Sequence, residues 1–299
     1  MTYPGGKAGA GVYQTIINLM PPHNVYIEPF LGGGAIMRMK RPAGLNIGID
    51  LVNPSELPIE YSRDKKNDAT GKTAQKSDEV PGAILEPSPD LKFSAVHTEN
   101  SDEQSLYAET GETRRRGSRF HAMPDPHVET GDKSSFQFLQ GDGIAFLKRY
   151  RFTGSELVYC DPPYVRSTRT PRRLYEHEMT DVDHRRFLRV VMAIPARVMV
   201  SGYWSKMYAD ALKGWNTATF QAMTRGGRLA TEWLWFNFPR PLALHDYRYL
   251  GRDFRERERI KRKTLRWTRR IERMPELEKS ALLCAIAATA ASGDPRGSS

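Results

Sequence analysis

Leu157-Val158-Tyr159-Cys160-Asp161-Pro162-Pro163-Tyr164 runs four apolar residues directly into an acid and two prolines. Proline has no N–H to give a sheet and fixes its own φ, so this pattern predicts a buried strand that stops abruptly. The end of a strand is where open α/β sheets place their chemistry. Asp161 supplies a carboxylate that only accepts hydrogen bonds, and the carbonyl of Pro162, on a stiff backbone, is a second acceptor with a fixed direction. Two convergent acceptors suit a planar amino group carrying two protons. Pro163 and Tyr164 follow, and the tyrosine ring offers a flat surface for an aromatic base. The segment describes a socket for an exocyclic amine on a heteroaromatic ring, such as that of adenine or cytosine; a turn with a capping acid is the plainer alternative.

Upstream of this segment the same rhythm recurs. Residues 25–27 form a short apolar run, followed by Glu28-Pro29-Phe30-Leu31-Gly32-Gly33-Gly34 and a helical pattern over 35–39. Strand, glycine turn and helix open a nucleotide-binding α/β unit, because glycines let a ligand approach the backbone and a helix start offers free N–H groups. A second strand over 45–49 ends at Asp50, placed to meet ribose hydroxyls. Another strand, 136–139, leads to Gly141-Asp142 and a helix over 144–150. At the N-terminus, Tyr3-Pro4-Gly5-Gly6-Lys7 makes a glycine turn without P-loop spacing. A helical pattern through Val12, Ile16, Ile17 and Leu19 follows and stops at Pro21-Pro22. Downstream, a helix is expected from Thr180, a strand over 196–201, a helix through Met207, Tyr208 and Leu212, and an aromatic strand over 231–238 whose Trp235 and Phe238 suit the core. Alternating strands and helices predict an α/β protein with a doubly wound, mostly parallel sheet.

The 299 residues suffice for one full-sized core plus a smaller annex. A net charge of +10 points to an anionic partner, with nucleic acid ahead of a membrane surface. Two distant cysteines, Cys160 and Cys284, make neither a disulfide framework nor a metal cluster and fit a reducing cytoplasm. No leader or bilayer-length apolar segment is expected. Residues 54–133 are poor in large apolar side chains and carry a basic knot at Arg114-Arg115-Arg116 and Arg119; they read as a largely irregular insertion. From Arg252 to Arg273 cations dominate, with Ile260, Trp267, Ile271 and Met274 at helical spacing, so a basic helix able to grip phosphates is expected, then an alanine-rich helix to about residue 291. The expected organisation is a catalytic domain in two parts, 1–53 and 134–250, an insertion at 54–133, a basic helical extension at 251–291 and a tail at 292–299.

Taken in order, these segments resemble the Dam-like, alpha-group DNA adenine methyltransferases, which use S-adenosylmethionine. The resemblance implies a Rossmann-like methyltransferase fold. It makes Tyr3 and Lys7 part of the N-terminal cofactor motif, Glu28, Pro29, Phe30, Gly32 and Gly34 the glycine motif, Asp50 the ribose-binding acid and Asp142 the residue near the cofactor's adenine. Asp161, Pro162 and Tyr164 become the catalytic group, with Asp161 also against the cofactor and Pro163 and Tyr164 against the base. It further implies double-stranded DNA as substrate, base flipping, direct in-line methyl transfer and no metal, with a restriction endonuclease partner left open. In the family the reader of sequence lies between the second-strand acid and the next motif, which here is the apolar-poor stretch at 54–133. Other readings compete: amino methylation of cytosine or of adenine in RNA, methylation of a glutamine amide, which would give Tyr164 less to stack on, a non-catalytic DNA-binding protein on the same fold, and a NAD-dependent oxidoreductase. The last shares the glycine turn and Asp50 but gives no reason for residues 161–164.

Overall fold

The structure, a computed structural model, describes residues 6–52, 95–99, 134–169, 175, 177–224 and 227–291. Within it the chain divides into two compact units, Met1–Tyr249 and Leu250–Ser299.

In the first unit the strands are β1 (Val25–Glu28), β2 (Leu45–Asp50), β3 (Ala95–Glu99), β4 (Ser135–Gln140), β5 (Glu156–Cys160), β6 (Arg197–Gly202), β7 (Asn216–Met223) and β8 (Leu229–Phe236). They form one sheet in the order β3-β4-β2-β1-β5-β6-β8-β7. The stretch from β4 to β6 is parallel throughout. Antiparallel strands close both ends, β3 on β4 and the β7–β8 hairpin on β6. The strand order reverses at β1 and β5, so the central crevice of the sheet opens above their carboxyl ends.

Every residue of β5 is buried, which is why it reads as an unbroken apolar run rather than an alternation. Leu157 and Tyr159 enter one core and Val158 and Cys160 the other, as the strand period of two requires. The first core is covered by helices α1 (Val12–Ile17) and α2 (Ala35–Met39), the second by α3 (Gly143–Arg149), α4 (Asp181–Ala193) and α5 (Lys206–Ala211). This is the Rossmann-like, doubly wound arrangement expected from the alternation of segments. Local chemistry starts these helices where the sequence predicts. Thr180 and Asp183 form a reciprocal capping box on α4, and Ser205 caps α5 by accepting from the Tyr208 N–H.

Two strands were not foreseen. β7 has only Phe220 and Ala222 buried, and an edge strand with one half-solvated face carries no apolar run to announce it. β3 lies inside the stretch expected to be irregular, where its backbone pairs antiparallel with β4. The rest of residues 54–133, including the basic knot at 114–119, lies outside the described residues.

In the second unit, α6 (Phe254–Glu272) starts at Asp253, whose side chain accepts from the Glu256 N–H, and α7 (Glu276–Ala291) follows. Helix α6 carries nine Lys and Arg against three Glu, and none of its residues is buried. Among the described residues no helix is long and apolar enough to cross a membrane.

Candidate active site

A cavity of about 1840 Å³ lies over the carboxyl ends of the parallel strands. Each strand delivers one segment to it: 28–36 after β1, Asp50 and Leu51 from β2, 141–144 after β4, 161–164 after β5 and 203–206 after β6. The β7–β8 hairpin and Lys7 complete the wall.

The glycine turn is shaped by backbone demands. Gly32 and Gly34 adopt φ of 48° and 60°, a region costly for residues with a Cβ. Gly32 also donates its N–H to Asp50 Oδ2 at 2.7 Å, and Val52 N–H reaches Asp50 Oδ1 at 3.1 Å, so the second-strand acid ties the turn to the end of β2. Burial raises the Asp50 carboxyl above its usual range, against the pull of these N–H groups. Across the turn, a Cβ on Gly143 would meet the Pro29 carbonyl oxygen at 1.9 Å, so α3 can approach the turn this closely only with glycine at its first position. Asp142 precedes it, accepts from the Ile144 N–H at 2.8 Å as the cap of α3, and faces Arg186 at 3.4 Å. Phe30 packs edge-on against Phe187 at 5.4 Å, anchoring the turn to α4.

Glu28 closes β1 and is buried to 3 % exposure, accepting from the Tyr26 hydroxyl at 3.0 Å. Burial pushes its carboxyl up to about 8, so near neutrality it holds its proton in the free protein.

Around Asp161 the side chains converge. Lys7 Nζ donates to both carboxylate oxygens of Asp161, at 2.9 and 2.7 Å, and to the Tyr164 hydroxyl at 2.6 Å. Tyr164 donates in turn to Glu232 Oε2 at 2.7 Å, and Lys7 lies 3.4 Å from the same oxygen. Ser201 Oγ donates to Asp161 Oδ1 at 2.8 Å. Burial alone would lower the Lys7 pKa, but the carboxylates of Asp161 and Glu232 hold it above its ordinary value, so the ammonium stays charged. Burial raises the Glu232 carboxyl, with Lys7 opposing.

Of the residues singled out in the sequence, Lys7, Glu28, Pro29, Phe30, Gly32, Gly34, Asp50, Asp142, Asp161, Pro162, Pro163 and Tyr164 all border this one cavity. Tyr3 lies outside the described residues. Tyr164 departs from the picture of an open stacking platform: its ring is 5 % exposed, packs edge-on against Tyr203 at 4.7 Å, and its hydroxyl is tied to Lys7 and Glu232. Trp204 also lines the cavity and is 53 % exposed.

Glu232, Ser201, Tyr203 and Trp204 escaped the sequence reading. Two signals were present. Glu232 is an acid amid aromatic residues of a strand, on the same face as Leu234, where an unpartnered carboxylate would be costly. Ser201 follows Val200, which pairs with Cys160, so parallel register sets Ser201 beside Asp161.

The donor set fits an S-adenosylmethionine-like cofactor. Glycines without Cβ line the approach, Asp50 borders it with a carboxyl able to accept from hydroxyls, and Glu28 is a buried carboxyl that a bound cation would ionise. Among the described residues no group of three or more His, Cys, Asp or Glu could hold a metal ion.

Residues 130–224 match the model of a family described as D12 class N6 adenine-specific DNA methyltransferase. No curated protein matches the chain. A crystal structure of precorrin 8W decarboxylase from Methanobacterium thermoautotrophicum aligns over 79 % of this chain and 94 % of its own, at 8 % identity and a TM-score of 0.35, a likeness too slight to bear on fold or function.

Proposed function

We propose that this chain is a Dam-like DNA adenine methyltransferase, as its likeness over residues 130–224 suggests, and that it methylates the N6 amine of an adenine everted from double-stranded DNA, using S-adenosylmethionine. The observation that carries this reading is the convergence of Asp161, the glycine turn and two buried carboxylates on one cavity at the sheet's crevice.

The cofactor, when bound, supplies an electrophilic methyl on sulfonium; Glu28, Asp50 and Asp142 would hold its charged, ribose and adenine portions, with Lys7, Pro29, Phe30, Gly32 and Gly34 around them. The chain's own task is to make a poor nucleophile attack. The adenine amine delocalises its lone pair into the ring. Asp161 and the Pro162 carbonyl, each accepting a hydrogen bond from the amine, favour a pyramidal nitrogen whose lone pair is free. As the new N–C bond forms and the C–S bond breaks, positive charge grows on nitrogen, where Asp161 stabilises it. The nitrogen then releases a proton, for which Asp161 is the nearest base. By holding the amine in one orientation toward the cofactor's methyl, these residues would supply much of the remaining acceleration.

In the free protein Lys7 occupies both oxygens of Asp161, the acceptors an amine needs. An incoming amine must therefore take one of them over, and Glu232 and Tyr164 keep Lys7 partnered when it does. Pro163 borders the space for the base, and with Tyr164 turned inward to Lys7 and Glu232, Trp204 offers the base the larger free aromatic face. Residues 54–133 are the segment we assign to reading DNA sequence.

Incubating the protein with unmethylated DNA and S-adenosylmethionine, then sequencing the modified bases and identifying them by mass spectrometry, tests the reading. N6-methyladenine at a defined sequence is expected. Methylcytosine alone, or modification of RNA only, would overturn it.

Two further outcomes follow. A cationic cofactor selects ionised Glu28, whose free carboxyl titrates at about 8. Cofactor affinity should therefore rise with pH up to about 8 and level off above it, by as much as about tenfold per unit. Glu28→Gln should remove that rise, and calorimetric titrations of both proteins across pH would show it; parallel profiles would exclude Glu28 as the cofactor's partner. On α6 we assign the cationic side chains to DNA phosphates. Changing Arg262, Arg266, Arg269 and Arg270 together to Gln should flatten the dependence of log Kd on log salt by about 0.9 for each phosphate no longer neutralised. An unchanged slope would make the helix a bystander.

A further inference from the structure

Behind the cavity, β1 ends in Tyr26-Ile27-Glu28. Alternate residues of a strand share a face, so Tyr26 and Glu28 lie on the same side of the sheet, while Ile27 packs in the opposite core. Glu28 borders the cavity and Tyr26 does not. The tyrosine is fully buried, and its hydroxyl donates to Glu28 Oε2 at 3.0 Å. Phenylalanine would fill the same core with no polar atom to satisfy, so packing by itself does not ask for a hydroxyl here.

Several neighbours hold the ring. Lys40 Nζ lies over it, 4.1 Å from its centroid, and is itself fixed by donating to the Arg41 carbonyl and to Asn46 Oδ1, each at 2.9 Å. Asn46 is anchored in turn, accepting from the Ala43 N–H at 3.0 Å and donating to the Ala43 carbonyl at 2.8 Å. The His23 ring packs at 5.8 Å. A ring braced in this way has little freedom to turn its hydroxyl from Glu28, and Lys40 carries the bracing to the end of α2, the helix that the glycine turn starts. Burial raises the Glu28 carboxyl; against burial the Tyr26 hydroxyl is the strongest pull, ahead of Lys40 and the Met37 N–H, while Asp161 adds to the rise. Tyr159 and Cys160 of the adjoining β5 are buried close by, and burial pushes both well above their ordinary values, so they stay neutral.

We propose that the Tyr26 hydroxyl is a positioning group for the cofactor's cation: it holds the Glu28 carboxyl at the cavity edge and favours its ionised form when the cation arrives. The proposal rests on the reading of Glu28 as the cofactor's charged partner. A hydrogen bond to an ionised acceptor is about twice as strong as one to a neutral acceptor. The hydroxyl therefore contributes more to the carboxylate than to the acid, and it lowers the cost of ionising a buried group without entering the cavity.

The test measures S-adenosylmethionine binding to wild type and Tyr26→Phe by calorimetry across pH. Phenylalanine keeps the ring under Lys40 and removes only the hydroxyl. Without that donor Glu28 ionises only above its wild-type value of about 8. The variant is therefore expected to bind about tenfold more weakly at about pH 7 and to come within about twofold of wild type at about pH 9.5. Taking the ratio at each pH cancels the titrations that both proteins share, those of Lys40 and of the cofactor's own amine. Methylthioadenosine, which keeps the nucleoside and carries no cation, should bind both proteins alike throughout. In a Glu28→Gln background, Tyr26→Phe should change S-adenosylmethionine binding by less than about twofold. A ratio that stays constant with pH, equal weakening of both ligands, or a full effect in the Glu28→Gln background would overturn the role of Tyr26 while leaving the cofactor site intact. So would a variant that binds neither ligand, since the hydroxyl would then serve the fold. If Glu28→Gln by itself leaves S-adenosylmethionine binding unchanged at every pH, the cofactor reading of Glu28 fails, and the role of Tyr26 with it.

Discussion

Asp161→Ala is expected to cut DNA methylation by about 10²- to 10³-fold, the scale seen when one electrostatic contact to a transition state is removed. Its carboxylate is held in place by Lys7 at 2.7 Å and Ser201 at 2.8 Å, and in the proposed mechanism it is the negative charge beside the nitrogen that becomes positive. Asp161→Asn should fare nearly as badly. It keeps the shape but removes the charge, and it turns one acceptor into a donor facing the amine. Cofactor binding should persist in both variants, because Glu28, Asp50 and the glycine turn are untouched. Single-turnover methylation alongside equilibrium binding of the cofactor separates the two effects. Full activity in the alanine variant would remove Asp161 from the mechanism.

Lys7→Met should weaken the fold itself, by about 3 kcal/mol, the low end for breaking a buried ion pair because Asp161 retains 19 % side-chain exposure. Without the ammonium, Asp161 and Glu232 face each other across a buried site. The sign with pH follows from linkage. In wild type the raised Lys7 pKa adds stability that is present below the ordinary lysine value and disappears as pH climbs through the raised one. In the variant the folded protein takes up a proton on a carboxylate at a pH where the unfolded chain is ionised. Its stability should therefore recover on acidification and fall as pH rises. Denaturant midpoints of both proteins across pH measure this. A deficit that does not shrink toward acid would mean that Lys7 acts by packing rather than by charge.

Much of the fold was legible because parallel strands buried on both faces must be apolar end to end. Leu157 to Cys160 could be read in that way, and the acid and prolines that follow mark where such a strand stops. The helical pattern from Thr180 likewise announced α4, and the structure adds a capping box between Thr180 and Asp183 at its start. The edge strands were not legible in this way. β7 exposes Asn216, Thr217, Thr219, Gln221 and Met223, so it makes no apolar run, and its place in the sheet comes from pairing with β8. At the site, the acids next to strand ends could be located at the cavity from the sequence, although one of them, Asp142, also caps α3. Glu232 could not, because its neighbours read as core and its partner Tyr164 lies 68 positions away.

The order of the segments around Asp161, the glycine turn after β1 and the acids that end β1 and β2 are properties of the amino-acid sequence, because backbone limits on proline and glycine act within a few residues. Which atoms those groups finally touch was decided by the tertiary structure. Lys7 meets Asp161 across 154 positions, and Tyr164 is turned inward to Glu232 instead of outward to a base. The physical reason is that the partner of a buried charge is chosen by strand order and by the cost of leaving it unpaired, and neither is set by the residues beside it in the chain.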